Sequence, residues 1–259
     1  MDSQYQQDLR LLKGTFDARN EAPVIASAIA GGEASVRLRL LDVGIGEGRA
    51  ILQATQQLEA LGYDVVLTGI DLHISKELRD RMPAGSALIE QNFFEYPHHE
   101  RFDAVVSTQS LYYLGDRQAA LRKLIAHTVP GGCLIVTVWS SRCILRNLHL
   151  RFVSTPDTDC LAAEGVADDL HRLDPTAAVD LVRTVGRVNL RRWLTSEATC
   201  MAAFRILSRA APNLSLDEAR YTAFCEHLKG LPEEMNRENG TVVLRRRGDE
   251  EGNETPIVP

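Results

Sequence analysis

The sequence has 259 residues, of which 44% are hydrophobic and 25% are charged, and its formal net charge at pH 7 is −6. These proportions are typical of a folded globular protein rather than a disordered one. Because an acidic chain gains little from contact with a phosphate backbone, we expect no nucleic-acid partner. No apolar stretch approaches the roughly 20 residues that cross a bilayer, so we expect no membrane partner.

The N-terminal residues lack a basic segment followed by an apolar one, and we expect no secretory signal. The five cysteines are odd in number and include no C-x-x-C pair. This pattern disfavours a zinc site of paired thiolates and favours reduced thiols in a cytoplasmic protein.

The hydrophobic pattern predicts helices first and then alternating strands and helices. Residues 3–30 have apolar side chains at three- and four-residue spacing, with Pro23 opening a second helix and Gly31-Gly32 ending it. Five short apolar runs predict strands at Leu38–Val43, Val65–Ile70, Ala87–Glu90, Phe102–Val106 and Cys133–Val138. Helices are predicted at residues 48–61, 74–82 and 116–128. This alternation predicts an α/β fold with a doubly wound, mostly parallel, Rossmann-like sheet of seven strands and added helical cap segments.

The pattern is weaker after the fifth strand. Residues 176–185 are predicted to be helical, Val188–Leu194 to be a sixth strand and Thr241–Arg246 a seventh. Helical runs within 197–235 are expected to cap the substrate side, and the polar segment 248–259 to be disordered.

We therefore expect a single domain over residues 1–247. It comprises a helical N-terminal cover (1–32), a cofactor-binding core (38–138) and acceptor-side insertions with the last strands (139–247).

A glycine-rich turn follows the first predicted strand and opens a helix. It reads Asp42-x-Gly44-x-Gly46-x-Gly48 and continues with Arg49. Glycines let the backbone approach a ligand closely, and the N–H groups of the following helix would face that ligand. A dinucleotide-binding turn has the pattern G-x-G-x-x-G, which would require glycine at position 49, so Arg49 disfavours an NAD-dependent oxidoreductase.

From Leu38 to Val138 the chain resembles the class I S-adenosylmethionine-dependent methyltransferases. The glycine-rich turn matches the first motif of that family, and Asp71 ends the second strand, where the family places an acid that accepts both ribose hydroxyls. Asn92-Phe93-Phe94 follows the third strand, where the family holds adenine. Phe102-Asp103 at the start of the fourth strand and Pro130-Gly131-Gly132 before the fifth also match the pattern of the family.

The resemblance implies S-adenosyl-L-methionine as cofactor and S-adenosyl-L-homocysteine as product. The cofactor-binding residues it implies are Asp42, Gly44, Gly46, Gly48, Asp71, Leu72, Asn92, Phe93 and Thr108.

The segment after the fourth strand, Gln109-x-Leu111-Tyr112-Tyr113-x-x-Asp116, is similar to the corresponding segment of the histamine N-methyltransferase family. That family places a glutamine and two tyrosines there against its substrate, which implies catalytic roles for Gln109, Tyr112 and Tyr113. Because an amide does not titrate, Gln109 is expected to orient the acceptor rather than to act as a base. The tyrosine rings would form apolar walls that attract a cation.

Three further residues are candidate acceptor contacts: Asp17, Trp139 and Asn239. Asp17 and Glu21 are alternative counterparts of the N-terminal glutamate of that family. The chain departs from the family by having Gly240 where the family has asparagine and Ser141–Ile144 where it has tryptophans. The resemblance therefore does not fix the acceptor.

We predict a monomeric or homodimeric S-adenosylmethionine-dependent methyltransferase for a small-molecule acceptor, with an amine or imidazole nitrogen favoured. Transfer by in-line displacement would depend mainly on positioning. O- or C-methylation of a secondary metabolite, and a catalytically inactive cofactor-binding or regulatory protein, are the alternatives.

No metal is expected, because the acidic residues Asp157, Asp159, Asp168, Asp169 and Asp174 lack the spacing of a calcium loop. Ser110 lacks the G-x-S-x-G context of a hydrolase nucleophile.

Overall fold

The structure is a computed structural model that describes residues 3–17, 21–31, 36–153, 161–208 and 217–248. The predicted tail beyond Gly248, together with Gly32, Asp157 and Asp159, lies outside the described residues. The helices are α1 (Ser3–Leu11), α2 (Glu21–Ala30), α3 (Arg49–Ala60), α4 (Lys76–Arg79), α5 (Arg117–His127), α6 (Ile144–Phe152), α7 (Ala163–Leu173), α8 (Glu197–Ser208) and α9 (Glu218–Lys229).

The strands are β1 (Arg37–Val43), β2 (Asp64–Asp71), β3 (Ala87–Glu90), β4 (Phe102–Thr108), β5 (Thr128–Trp139), β6 (Ala178–Asn189) and β7 (Glu234–Arg245). Short 3₁₀ turns lie at Phe93–Glu95, Leu111–Tyr113 and Arg191–Thr195.

In the described part of the chain, seven strands form one sheet in the order β3-β2-β1-β4-β5-β7-β6. The first five pair in parallel, and β7 runs antiparallel to both β5 and β6. This confirms the predicted α/β, mostly parallel, seven-stranded fold. Because parallel strands end on the same side of a sheet, the last residues of β1, β2, β4 and β5 meet there. We call this side the carboxyl edge; it ends at Val43, Asp71, Thr108 and Trp139.

Apolar side chains pack on both faces of the sheet. On the face covered by α2 and α3, which we call the α2 face, Leu40 and Val106 contact helix residues such as Ile25 and Ile51. The opposite face packs against α5 and α7. Side chains alternate between the two faces along each strand, so the face of every polar residue at the carboxyl edge follows from its position.

A third apolar cluster forms a helical cap beside the carboxyl edge. It joins α1, α6, α8, α9 and the 191–195 turn around Trp193, Phe204 and Phe224. The strands β6 and β7 pair along twelve residues each, whereas β5 ends at Trp139, which pairs with Asn239. Residues 234–238 therefore project past β5, and the connection between β6 and β7 (190–233) supplies most of the cap. The helical runs expected within 197–235 are α8 and α9.

Two predictions for the last third of the chain are wrong. Residues 176–185 are not helical, because β6 begins at Ala178. Apolar residues at 178, 181, 182 and 185 mimic helical spacing, but pairing with β7 leaves Val179 and Leu181 half-buried against the core and Val182 and Val185 exposed. Tertiary pairing thus overrides the local pattern.

The predicted strand 188–194 is also wrong, since β6 ends at Asn189 and a 3₁₀ turn follows. The seventh strand begins at Glu234 rather than at Thr241, and the predicted turn at 130–132 lies within β5 as an irregularity in its pairing with β4.

The described cysteines 133, 143, 200 and 225 are free thiols; the Sγ atoms of Cys200 and Cys225 lie 2.7 Å apart. No helix among the described residues is long and apolar enough to cross a membrane.

One buried ion pair attaches α1 to the cap. Arg205 Nε and Nη2 donate to the two carboxylate oxygens of Asp8 at 2.9 and 2.6 Å, and Asp8 is fully buried. The Arg205→Met substitution would leave the Asp8 charge buried without this partner, and we expect it to lower the free energy of unfolding by about 3 kcal/mol. The double variant Asp8→Leu/Arg205→Met should lose less than Arg205→Met alone, because no charge is then buried. Urea unfolding measures both, and additive losses would contradict this account.

Candidate cofactor and acceptor site

The glycine-rich turn is fixed against the end of β2. The N–H groups of Gly44 and Ile45 both donate to the carbonyl oxygen of Ile70, at 2.7 and 3.1 Å. Gly44 has φ +75°, and a Cβ at this position would lie 2.3 Å from the Cβ of Ser110. Gly46 has φ +55°, and a Cβ there would meet open space, with the nearest heavy atom at 4.0 Å. The turn therefore packs tightly at Gly44 and leaves the backbone of Gly46 accessible to a ligand.

Two buried carboxyl groups lie at the ends of β1 and β2. Asp71 accepts hydrogen bonds from the N–H groups of Gly46 (2.9 Å) and His73 (3.2 Å). Burial raises the pKa of Asp71, and backbone donors oppose that rise. Burial and the neighbouring Asp71 charge raise the pKa of Asp42 to about 8. Asp42 Oδ1 is buried and accepts no hydrogen bond within the described chain. A cationic ligand beside Asp42 would therefore stabilise its ionised form.

The end of β4 holds a strained residue. Gln109 has φ +56°, and it is the one residue other than glycine with positive φ among those the structure describes. Its N–H donates to Thr137 O at 2.7 Å, while its Nε2 is buried without a hydrogen-bond partner, as is Thr108 Oγ1. A residue other than glycine in the left-handed backbone conformation costs about 1–3 kcal/mol, and such strained residues are concentrated at functional sites.

Ser110 has a structural role in the segment after β4 rather than a role as a nucleophile. Its Oγ donates to Val43 O at 2.6 Å and lies 2.7 Å from Ser107 Oγ. These contacts join the segment after β4 to the end of β1. The absence of a hydrolase context in the sequence agrees with this structural role.

A carboxyl–amide pair stands where α2 begins above the sheet. Asn239 Nδ2 donates to Glu21 Oε1 at 2.9 Å, and both side chains are buried. Glu21 Oε2 and Asn239 Oδ1 accept no hydrogen bond from any described residue. Because Asn239 pairs with Trp139 across β7 and β5, this pair lies at the carboxyl edge.

An aromatic cluster includes Trp139, the β5 partner of Asn239. The ring centroids of Tyr112 and Trp139 are 4.8 Å apart, and the backbone N–H of Trp139 donates to the Tyr112 hydroxyl. Tyr113 contacts Tyr112 edge-on at 6.2 Å and is 42% exposed. Tyr112 and Trp139 thus form one aromatic wall, and Tyr113 stands at its outer rim.

Five buried polar atoms without hydrogen-bond partners in the described chain come from this edge: Glu21 Oε2, Asp42 Oδ1, Thr108 Oγ1, Gln109 Nε2 and Asn239 Oδ1. We call them the unpartnered set. Alternation along β1, β4 and β7 places Asp42, Thr108 and Asn239 on the α2 face, the face to which Glu21 also belongs. An unpaired buried polar atom costs about 1–3 kcal/mol, so their concentration at one edge indicates a ligand-binding site.

The predicted adenine region differs in detail from expectation. Phe93 is 3% exposed and belongs to the core, so its ring is not at the surface, whereas Phe94 is 38% exposed. The Oδ1 atom of Asn92 accepts from the Phe94 N–H at 3.0 Å. Leu72, beside Asp71, is 57% exposed. The accessible apolar side chains here are therefore Leu72 and Phe94.

The structure does not bring Asp17 to the unpartnered set. Asp17 is exposed, and its N–H donates to the carbonyl of Arg187 on the edge strand β6. Of the two counterparts considered from the sequence, Glu21 is the one that contacts Asn239.

Sequence reasoning also missed a buried hydroxyl pair, Thr137 and Thr241, whose Oγ1 atoms are 2.9 Å apart. The sequence signal for this pair is a threonine at an inward-facing position of an otherwise apolar strand. Among the described residues, no group of three or more His, Cys, Asp or Glu side chains is arranged to hold a metal ion.

The family model described as "Methyltransferase domain" matches residues 7–196. The chain belongs to this methyltransferase family. The match confirms the resemblance to S-adenosylmethionine-dependent methyltransferases and decides against the oxidoreductase alternative. No curated protein is a significant match to the sequence.

Solved structures of two methyltransferases and of a cyclopropane synthase share the fold. A S-adenosylmethionine-dependent methyltransferase from Geobacter sulfurreducens, solved with S-adenosyl-L-homocysteine, has 16% identity and a TM-score of 0.53, covering 89% of this chain and 92% of its own. Phosphoethanolamine N-methyltransferase 2 of Haemonchus contortus, solved with phosphomonomethylethanolamine and S-adenosylhomocysteine, has 14% identity and a TM-score of 0.53, with coverage of 88% and 52%. The cyclopropane synthase MmaA2 of Mycobacterium tuberculosis has 18% identity and a TM-score of 0.52, with 95% of each chain covered.

The glycine-rich turn yields a direct test. Gly44→Ala should lower the free energy of unfolding by about 2–4 kcal/mol, because the new Cβ combines a strained positive φ with a clash against Ser110. Gly62→Ala is the matched control, since Gly62 has φ +92° but nothing within 4 Å of a Cβ. Only the strain of about 1–2 kcal/mol should appear there. Equal losses in the two variants, measured by urea unfolding, would show that Gly44 does not pack against Ser110.

Proposed function

We propose that this protein transfers a methyl group from S-adenosyl-L-methionine to an amine or imidazole nitrogen of a small molecule. The observation that carries the proposal is the Glu21–Asn239 pair, whose two unpartnered oxygens lie on the same face of the carboxyl edge as Asp42. Both oxygens can only accept hydrogen bonds, so they suit a ligand that donates N–H groups.

The residues present fit the cofactor. Asp42 Oδ1 would accept from the cofactor's ammonium group, and the positive charge would favour the ionised form of Asp42. Each Asp71 oxygen keeps a lone pair for a ribose hydroxyl after accepting its backbone hydrogen bond. Leu72 and Phe94 offer the apolar surfaces, and Asn92 the polar group, for an adenine. When bound, S-adenosylmethionine supplies an electrophilic methyl group on a sulfonium.

The acceptor would bind between the Glu21–Asn239 pair and the Tyr112–Trp139 wall. A protonated primary or secondary amine, or a protonated imidazole with both ring N–H groups, has a positive charge for the carboxylate and at least two N–H donors for the two oxygens, whereas a phenol has one donor. The Tyr112 and Trp139 rings add a cation–π attraction of about 0.5–2 kcal/mol. Gln109 Nε2, the amide donor of the unpartnered set, would orient a ring nitrogen or carbonyl of the acceptor.

The catalytic contribution of these residues is positioning and proton removal. Holding the nitrogen in line with the transferred methyl group contributes about 7–11 kcal/mol in well-oriented systems. An amine must lose a proton before its lone pair can attack, and Glu21 Oε2, the unpartnered carboxyl oxygen on the acceptor side, would take it. The backbone hydrogen bond from Gln109 to Thr137 holds the strained turn from which the Gln109 side chain starts.

Structural neighbours support the reaction class but not the acceptor. The Haemonchus contortus enzyme was solved with an amine-containing compound, whereas the mycobacterial neighbour is a cyclopropane synthase. The same fold therefore accompanies different acceptors, and the choice falls to residues outside the cofactor core. We place that choice in Glu21 and in the segment 139–247.

The proposal is tested by a radiolabelled-methyl assay over matched amines, imidazoles, phenols and alcohols. We expect label to reach amines or imidazoles with at least tenfold higher kcat/KM than the phenol of similar shape. Preferential labelling of phenols would favour the O-methyltransferase alternative, and cofactor binding without any labelling would favour an inactive homologue.

Glu21→Gln isolates the charge of the proposed acceptor contact. With the best amine acceptor, we expect kcat/KM to fall about 10- to 100-fold, since a hydrogen bond to a charged group contributes about 1.5–3 kcal/mol. The Kd of S-adenosylhomocysteine should change less than twofold. Glu59→Gln, an exposed substitution on α3, is the matched control and should change neither value. An unchanged kcat/KM in Glu21→Gln with weakened cofactor binding would move Glu21 to the cofactor site.

A further inference from the structure

A buried lysine on α5 reaches the connection between β3 and β4. Lys123 is 5% exposed, yet no carboxylate in the described part of the chain forms an ion pair with it. Its Nζ instead donates to the carbonyl oxygens of Phe94 and Tyr96, both at 2.7 Å. The same Nζ lies 5.1 Å from the centre of the Phe93 ring. The ammonium group therefore contacts one short turn through two carbonyl oxygens and one aromatic ring.

Placing an ammonium group in this position is costly. Burial penalises its charge and lowers the pKa of Lys123. Two charge-assisted hydrogen bonds and the negative face of the Phe93 ring offset this cost. An apolar side chain would fill the same space without the penalty but would leave the two carbonyls without their donor. The arrangement thus fixes the turn, and does so more strongly than packing alone would.

A second α5 side chain holds the far end of the same connection. His127, fully buried, donates from Nδ1 to Glu100 O at 2.8 Å, because a carbonyl oxygen can only accept. The β3–β4 connection is therefore attached to α5 at three carbonyl oxygens. Lys123 contacts its beginning, beside the carboxyl edge, and His127 contacts the part that leads into β4.

The turn held by Lys123 borders the accessible part of the cofactor site. Gln91 donates its N–H to Asp71 O at 3.0 Å, so the residues that follow Gln91 start beside Asp71. Asn92 caps the turn through its Oδ1, and Phe94 has its carbonyl on Lys123 while its ring is 38% exposed. A shift of the Phe94 carbonyl would therefore move the Phe94 ring and the Asn92 cap together.

We propose that Lys123 is a positioning residue for the cofactor: it holds the Phe93–Glu95 turn in the conformation in which Asn92 and Phe94 bind the adenine. This inference rests on the proposed placement of the cofactor. Lys123 does not touch the acceptor side and acts only through the turn.

The test compares Lys123→Met with Arg122→Met, a control that removes an exposed charge from the neighbouring position of α5. We expect the Kd of S-adenosylhomocysteine to rise about tenfold in Lys123→Met and less than twofold in the control. At saturating S-adenosylmethionine, kcat should stay within twofold of the wild-type value, because the acceptor contacts are unchanged. A folded Lys123→Met protein with an unchanged Kd would overturn the proposal.

A double-variant cycle separates this role from a general loss of stability. If Lys123 acts through Phe94, Phe94→Ala should weaken binding in the wild-type background and change the Kd less than twofold in Lys123→Met. Full additivity of the two effects would overturn the proposal. If Lys123→Met does not fold, Lys123→Gln, which keeps two N–H donors on a shorter side chain, should raise the Kd about threefold, and an unchanged Kd would overturn the proposal. Failure of the wild-type protein to bind S-adenosylhomocysteine would instead refute the proposed cofactor site.

Discussion

The candidate site depends on the burial of one carboxyl group, Asp42, at the end of a central strand. Because β1 is covered on both faces, alternation along the strand puts Asp42 beneath the α2 face, next to Asp71 and away from water. Burial, and after it the charge of the neighbouring Asp71, penalises the ionised form of Asp42 and raises its pKa. This unfavourable burial of Asp42 occurs beside the glycine-rich turn, which leaves the backbone of Gly46 accessible. A cationic cofactor would remove the cost, which connects the fold of the sheet to the chemistry of the site.

The same rule of alternation builds the acceptor side. Thr108, Thr137, Thr241 and Asn239 are polar residues in otherwise apolar strands, and each lies on the α2 face near the carboxyl edge. Thr137 and Thr241 satisfy each other, whereas Thr108 and Asn239 keep an unpartnered atom. The projecting end of β6 and β7 then supports the cap above Trp139. In our proposal, Asp42 and Asp71 of the parallel strands β1 and β2 contact the cofactor, and Asn239 of the antiparallel strand β7 contacts the acceptor.

The cofactor half of the protein could be predicted from the sequence because its signals are local. The glycines between Asp42 and Gly48 specify a turn. Asp71 ends a short apolar run whose pattern predicts a buried strand. The last third could not be predicted in this way, because β6 has apolar residues at helical spacing and becomes a strand only by pairing with β7, which lies 44 residues further along the chain. The Glu21–Asn239 contact joins residues 218 positions apart, so no local pattern indicates it. Phe93 and Phe94 are neighbours of the same type, and packing against distant core residues such as Phe102 determines which ring is buried.

The central claim is that Asp42 meets the positive charge of the cofactor, and proton release on binding tests it most directly. At pH 7 the raised pKa of about 8 keeps Asp42 mainly protonated, and a bound cation would lower that pKa and release the proton. Titration calorimetry with S-adenosylmethionine in two buffers of different ionisation enthalpy measures the release. We predict that wild-type protein releases up to about one proton more than Asp42→Asn at pH 7, where the amino group of the free cofactor is already protonated. Absence of binding, or the same proton count in both proteins at pH 7, would contradict the account.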